Sequence, residues 1–301
     1  MKKTLYANGK LFIMGEYTVL DGSDAFALPT RFGQSLEVET NDSDAIHWTS
    51  FDADGSVWLD VYIPLEDVYT GTTNSEHIET IMLTKVLHKA YKATTGVVTT
   101  GYNVVTKLTF PRLWGLGTSS TLISLVADWF GIDPYSLLAQ TFGGSGYDIA
   151  CAQQQEPLIF NMNNRNPTVR TVAFNPDFAD KLYFVYLNQK QNSREAIAAY
   201  REKQFDKPAL VVQINKLIEE VSAATDLSSF SSALEKQEAL LGGVLGIAPV
   251  QERLFPDFKG VVKSLGAWGG DFVLAASEEN PIEYFTQKGF TTIVPYKEMV
   301  Y

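Results

Sequence analysis

The chain of 301 residues predicts an α+β fold in two domains, and three observations carry that prediction. From Leu5 to about Ile63 it breaks into short strand-like runs bounded by turn residues. In its middle a strand, a glycine loop and a helix follow one another. Beyond Pro176 one strand precedes three helices, and a last block from Gly260 holds two more strands. The expected domains are residues 1–175 and 176–301.

The first runs are Ser35–Thr40, Ala45–Phe51 and Ser56–Ile63, separated by Asn41-Asp42-Ser43-Asp44 and Asp52-Ala53-Asp54-Gly55. They read as an antiparallel meander. The second separator superficially suggests a calcium loop, but no glutamate stands where such a loop needs one, so it reads as a hairpin turn. Ser75–Ala93 is a helix with Ile78, Ile81, Met82 and Val86 on one face and Gly96 just past its end. Tyr102, Val104, Thr106 and Leu108 alternate as a strand. From Thr121 a helix buries Leu122, Ile123, Leu125, Val126, Trp129 and Phe130 and stops at Gly131. Asp133-Pro134 caps another helix through about Gln140. The later strand is Lys181–Leu187, the helices are Ser193–Phe205, Pro208–Ala224 and Ser228–Leu241, and Phe272–Ala275 is a strand of the last block.

Composition narrows the class. With 45% apolar and 20% charged residues the chain is an ordinary globular protein. Its net charge of −11 argues against nucleic acid or an anionic membrane as the main partner, while leaving room for a small anionic ligand. Cys151, the single cysteine, forms no intrachain disulfide, and its apolar neighbours suggest a buried filler rather than a reactive thiol. The start has the charge but not the apolar core of a signal peptide, and no apolar run has the length of a membrane span. A cytoplasmic protein is the expectation. His77 and His88 stand too far apart along one helix to share a metal, and His47 is isolated.

The richest segment is Pro111-Arg-Leu-Trp-Gly115-Leu-Gly117-Thr118-Ser119-Ser120-Thr121. Glycine lets the backbone approach an anion, and a helix N-terminus offers free N–H groups and a favourable dipole. By itself the segment serves equally as an ordinary helix capped by Ser or Thr. It is not a Walker A loop, because no Gly-Lys-Ser/Thr follows. It lacks the third glycine of a dinucleotide fingerprint.

Three more glycine-bearing segments accompany it. They are Asn8-Gly-Lys10-Leu-Phe-Ile-Met-Gly-Glu16-Tyr17-Thr-Val-Leu, Gly143-Gly-Ser-Gly146-Tyr147-Asp148, and Lys263-Ser-Leu-Gly266-Ala267-Trp268-Gly269-Gly270-Asp271. In this order the four resemble the three signature motifs and the catalytic aspartate segment of the GHMP kinases, and essentially the whole chain is covered. The first motif is most similar to those of mevalonate and phosphomevalonate kinases, while Gly-Tyr-Asp-Ile-Ala resembles a less studied group named for those letters. The resemblance implies an N-terminal domain like the second domain of ribosomal protein S5 and a ferredoxin-like C-terminal domain. It also implies transfer of the γ-phosphoryl group of MgATP to a small acceptor.

Residue by residue, the resemblance makes Lys10 the cation beside the acceptor and the transferring phosphoryl group, and Asp148 the general base. Gly115, Leu116, Gly117, Thr118, Ser119 and Ser120 hold ATP, with the Ser119 hydroxyl on Mg²⁺. The acceptor falls to Glu16, Tyr17, Gly146, Tyr147, Gly266, Ala267, Trp268 and Gly269. Glu16 either orients Lys10 or reaches metal or substrate. Three departures stand out. Tyr17 replaces a frequent histidine, which weakens the case for mevalonate itself, and Gln140 is the nearest residue to the usual acidic Mg²⁺ ligand. Trp268 takes a glycine position, where it either narrows the site and stacks on substrate or fills the core behind a tight turn. Lys190 and Arg194 are candidate substrate cations. The acceptor is a mevalonate-like hydroxyl or a phosphate; a sugar or other metabolite, or a non-catalytic nucleotide-binding protein of the same fold, are the alternatives.

Overall fold

The computed structural model describes residues 2–94, 98–163, 166–189, 193–268 and 271–301. Gly96, Lys190 and Gly269 lie outside the described residues, as does the Arg194 side chain. The chain divides into two compact units. The first comprises Met1–Gly9, Phe32–Arg112 and Leu116–Gln153, and the second Lys10–Arg31, Leu113–Gly115 and Gln154–Tyr301. These units interleave along the chain rather than following a single cut near residue 175, because two long strands, β1 (Lys2–Met14) and β2 (Ala25–Asn41), continue from one unit into the other.

In the first unit the meander expected from the sequence is rearranged. Strands β3 (Ala45–Phe51) and β4 (Val57–Pro64) form the antiparallel hairpin, closed by a turn in which Gly55 N donates to Asp52 O at 3.0 Å. β3 does not pair with β2. β5 (Gly101–Leu108) lies between them, antiparallel to β2 from Gln34↔Leu108 to Asn41↔Gly101 and parallel to β3 from Ile46↔Tyr102 to Phe51↔Lys107. A parallel pair needs a long crossover, and the chain supplies it as helices α1 (Leu65–Thr70) and α2 (Ile78–Lys92). Period-two alternation puts Leu36, Val38, Ile46, Trp48 and Val104 into one core with Leu83, Val86 and Leu87 of α2. Ser50 Oγ accepts from Trp48 Nε1 at 3.0 Å and from Thr106 Oγ1 at 2.8 Å, which gives these three buried polar groups partners.

Helix α3 (Thr118–Phe130) begins three residues earlier than its apolar periodicity suggests and ends at Gly131, whose φ of 69° is left-handed. Its buried face carries Ile123, Leu125, Val126 and Phe130, while Leu122 and Trp129 are only partly covered. Helix α4 (Pro134–Gln140) is capped by Asp133, which accepts from Tyr135 N and Ser136 N. Helix α5 (Tyr147–Ala152) completes this unit and packs on α3. Cys151 is fully buried in it, as expected of a filler.

The second unit contains the N-terminal end of β2, paired antiparallel through Ala25↔Phe160 with β6 (Leu158–Asn163), which in turn pairs with β7 (Asn166–Thr171). Its other sheet is four-stranded and antiparallel. β8 (Leu182–Tyr186), β9 (Val261–Ser264), β10 (Phe272–Ala276) and β11 (Ile293–Pro295) stand in the order β11-β8-β10-β9. The last block therefore holds three strands, not two. Around them lie α6 (Ser193–Arg201), α7 (Lys207–Ser222), α8 (Leu227–Leu245), α9 (Val250–Leu254), α10 (Ile282–Gln287) and α11 (Tyr296–Met299). Asp206 and Asp226 cap α7 and α8 by accepting from Ala209 N and Ser229 N. Val185, Phe255, Phe258, Val262, Val273 and Phe285 fill the core of this sheet.

Candidate functional site

The first unit places the glycine loop of the middle segment at the start of α3. Gly117 adopts φ 100°, ψ 38°, a conformation that costs an L side chain energy, and no side chain caps the helix. Ser120 Oγ turns back to Gly117 O at 2.8 Å, and Thr121 Oγ1 donates to Gln34 Oε1 at 2.7 Å and to Thr118 O at 3.0 Å. Ser119 is exposed and Thr118 half-buried, whereas the Leu116 side chain is fully buried and anchors the loop. The ordinary capped helix is thereby set aside. The residues present fit an anionic ligand, because backbone N–H groups at the positive end of a helix are left without a side-chain acceptor.

Asp148 stands half-buried in the first turn of α5, entered through Gly146 with φ 94°. Gly146 and Tyr147 are buried beside it. Since α5 packs on α3, the first unit brings the cradle and the candidate base onto neighbouring helices. Lys10, half-buried on β1, belongs to the second unit.

In the second unit Gly115 adopts the left-handed φ of 69°, and a Cβ there would press on the Asp271 carboxylate. Glu16 is 1% exposed and faces inward. Its Oε1 accepts from Lys263 Nζ at 2.5 Å and its Oε2 from Gln237 Nε2. Lys263, 0% exposed, also donates to Ser264 O at 2.7 Å. Burial pushes the Glu16 carboxyl up, and the Lys263 charge and hydrogen bond oppose that rise. Glu238, beside Gln237 on α8, accepts from Ser264 N at 3.1 Å and from Val250 N at 3.4 Å. Burial pushes its carboxyl up to about 7, with Lys263 pulling it down and Glu16 adding to the rise.

Tyr17 follows Glu16 at φ 60°, ψ −47°, an unusual conformation for a non-glycine residue. Its hydroxyl donates to Ala267 O at 2.8 Å and its ring stacks on Tyr200 with centroids 5.1 Å apart. Burial first and Glu16 second push its phenol up to about 12, so it stays a donor at neutral pH. Tyr200 OH donates in turn to Asp21 Oδ2 at 2.6 Å, and Lys207 pairs with Asp21 at 2.9 Å. Gly266 turns at φ 65°, and Trp268, at φ 58°, is buried with its ring edge near Gly242 of α8. Of the two sequence readings for Trp268, the core-filling one describes this placement.

Gln140 spends its amide on its own helix, donating to Ser136 O at 3.3 Å and Ser136 Oγ at 3.2 Å. Among the described residues no group of three His, Cys, Asp or Glu side chains is arranged to hold a metal ion. Ser119 stands exposed at the start of α3. Sequence reasoning missed the buried set Lys263, Gln237 and Glu238. Lys263 was visible at the head of the third glycine segment, but Gln237 and Glu238 look like exposed helix residues until α8 is packed.

No protein-family model matches the sequence, and no curated protein matches it in a sequence search. Solved structures do match. Methanococcus jannaschii mevalonate kinase is 16% identical, with 96% of this chain and 95% of that one covered at a TM-score of 0.70. Streptococcus pneumoniae phosphomevalonate kinase, in complex with phosphomevalonate and AMPPNP, is 14% identical, with 95% of each chain covered at 0.69. Lactococcus lactis galactokinase complexed with galactose is 14% identical, with 95% of this chain and 88% of that one covered at 0.65. At such identities the likeness establishes the fold, and the chain has the GHMP-kinase fold. No helix among the described residues is long and apolar enough to cross a membrane.

Proposed function

With the GHMP-kinase fold as premise, we propose that this protein is a cytoplasmic ATP-dependent small-molecule kinase that transfers the γ-phosphoryl group to a mevalonate- or phosphomevalonate-like acceptor. The observation that carries this reading is the start of α3, where a left-handed glycine leads into a helix that no side chain caps. The N–H groups of Thr118, Ser119 and Ser120 bind the nucleotide phosphates without a competing acceptor. Mg²⁺ supplies charge neutralisation on those phosphates, and Ser119 is the residue that would hold it.

Asp148 takes the proton of an acceptor hydroxyl as that oxygen attacks the γ-phosphorus. The new oxygen–phosphorus bond forms as the bond to the bridging oxygen breaks, and ADP leaves. Lys10 supplies positive charge to the acceptor oxygen and the transferring group. Tyr17, kept protonated by burial, offers no charge to the acceptor and fixes the turn at Ala267. That role differs from a histidine's and weakens the case for mevalonate itself. A sugar acceptor is the second reading, and the likeness to galactokinase complexed with galactose favours it.

The test is ADP release with mevalonate, phosphomevalonate, homoserine and simple sugars, each compared with Asp148→Ala. One acceptor should support turnover. Asp148→Ala should lower that turnover by a factor on the order of 10²–10⁴ while ATP still binds. ATP binding with no transfer to any acceptor would identify a binding protein of the same fold.

A further inference from the structure

The buried polar cluster of the second unit holds one charge more than it can neutralise. Glu16, Glu238 and Lys263 are 1%, 3% and 0% exposed, so two carboxylates share a dry space with one ammonium. A buried charge is tolerated when it is paired, and one ammonium neutralises one carboxylate. Glu16 holds Lys263 at 2.5 Å, while Glu238 has the longer contacts, to Ser264 N at 3.1 Å and to Val250 N and Ser264 Oγ at 3.4 Å. The electroneutral state therefore carries a proton on Glu238. Its carboxyl, pushed up to about 7 by burial, changes charge within the physiological range.

Among the described residues, the charges that act on Glu238 are those of Lys263 and Glu16. β9 presents Lys263 and the turn after β1 presents Glu16. α9 presents the Val250 N–H, while its Glu252 and Arg253 side chains are exposed. The buried positions of α7, packed along α8, are Leu210, Ile214, Leu217, Ile218 and Val221. The cluster ends on the two turns that carry the candidate acceptor residues. Glu16 adjoins Tyr17, whose hydroxyl reaches Ala267 O at 2.8 Å, and Lys263 and Ser264 lead into Gly266, Ala267 and Trp268.

We propose that Glu238 is a positioning residue: protonated, and acting through Ser264 and Lys263, it locks the Glu16–Tyr17 turn to the Gly266–Trp268 turn, and its deprotonation loosens that junction and weakens binding of the phosphoryl acceptor. Ionised Glu238 competes with Glu16 for Lys263 and leaves a net negative charge in the core. The junction pays for that charge by opening.

Two measurements do not depend on the kinase reading. In the unmodified protein, amide exchange of residues 261–268, corrected for its intrinsic pH dependence, should be faster at about pH 8 than at about pH 6, with α2 unchanged as the internal reference. Tryptophan emission should show a step near neutral pH that is absent in Glu238→Gln and in Trp268→Phe. The kinetic arm does rest on that reading. KM for the acceptor should rise on the order of five-fold between those pH values in the parent and stay level in Glu238→Gln, while KM for ATP changes alike in both proteins. Equal exchange at the two pH values, or an emission step that survives in Glu238→Gln, would overturn the proposal. So would an acceptor KM that follows pH identically in parent and variant. A missing acceptor with both spectroscopic signals present would instead count against the kinase reading and leave the proton-sensitive junction standing.

Discussion

Two glycine-led segments of this molecule look alike in sequence and behave in opposite ways. The loop entering α3 leaves the first N–H groups of the helix without a side-chain cap, since Gly117 turns left-handed, and its Ser119 is exposed. The turn at Gly266–Trp268 is closed. Ala267 O is taken by Tyr17, Trp268 is buried, and the strand leading into the turn is tied to Glu16 and Glu238. A glycine motif therefore marks a backbone shape, and the partners of the surrounding polar groups decide whether its N–H groups stay available or are tied into the fold.

The largest effect that would break this contrast belongs to the closed segment. Lys263→Met removes the cation from a fully buried carboxylate, and a loss of about 3–5 kcal/mol in urea melts is expected. A loss under about 1 kcal/mol would show that Glu16 is not held as described. Glu238→Gln should act with the opposite sign. The Glu238 carboxyl is raised from 4.5 to about 7 in the folded chain. Its contribution is thus fully present below the unfolded value and is lost as pH rises through about 7. The variant lacks that loss. Its stability should match the parent's at about pH 4 and exceed it above about pH 7 by on the order of 3 kcal/mol, read from melts across pH.

The open segment predicts a smaller stability change and a ligand effect. Gly117→Ala places a side chain at φ 100° and should cost on the order of 1–2 kcal/mol. Its ATP affinity, measured by calorimetry, should fall as well, and unchanged affinity would separate this loop from nucleotide binding. The smallest effect is expected for Trp268→Phe. Among the described residues the buried indole Nε1 has no partner, so losing it removes a desolvation penalty while losing some ring contact, and the net change should stay within about 1 kcal/mol in thermal melts.

Much of this was legible in the sequence, and the misses share a cause. The strand runs at Ala45–Phe51 and Gly101–Leu108, the Asp133 cap and the Gly131 stop are local signals, written in alternation, periodicity and turn chemistry. The insertion of β5 between β2 and β3 is a pairing decision between distant segments, and nothing within either strand announces it. Glu16 was legible as a member of the first motif but not as a buried residue. Gln237 and Glu238 carry ordinary polar identities on an amphipathic helix, and only the approach of β9 and α9 buries them.

By itself the sequence determined the α+β class, several helix ends, and the order of four glycine segments in which the GHMP-kinase resemblance is written, because these depend on neighbours a few residues apart. Tertiary structure decided which glycine segment stays open and which is closed. That choice rests on contacts between residues far apart in the chain, such as Glu16 with Lys263 and Tyr17 with Ala267, whose energies arise only when folding removes the water between them.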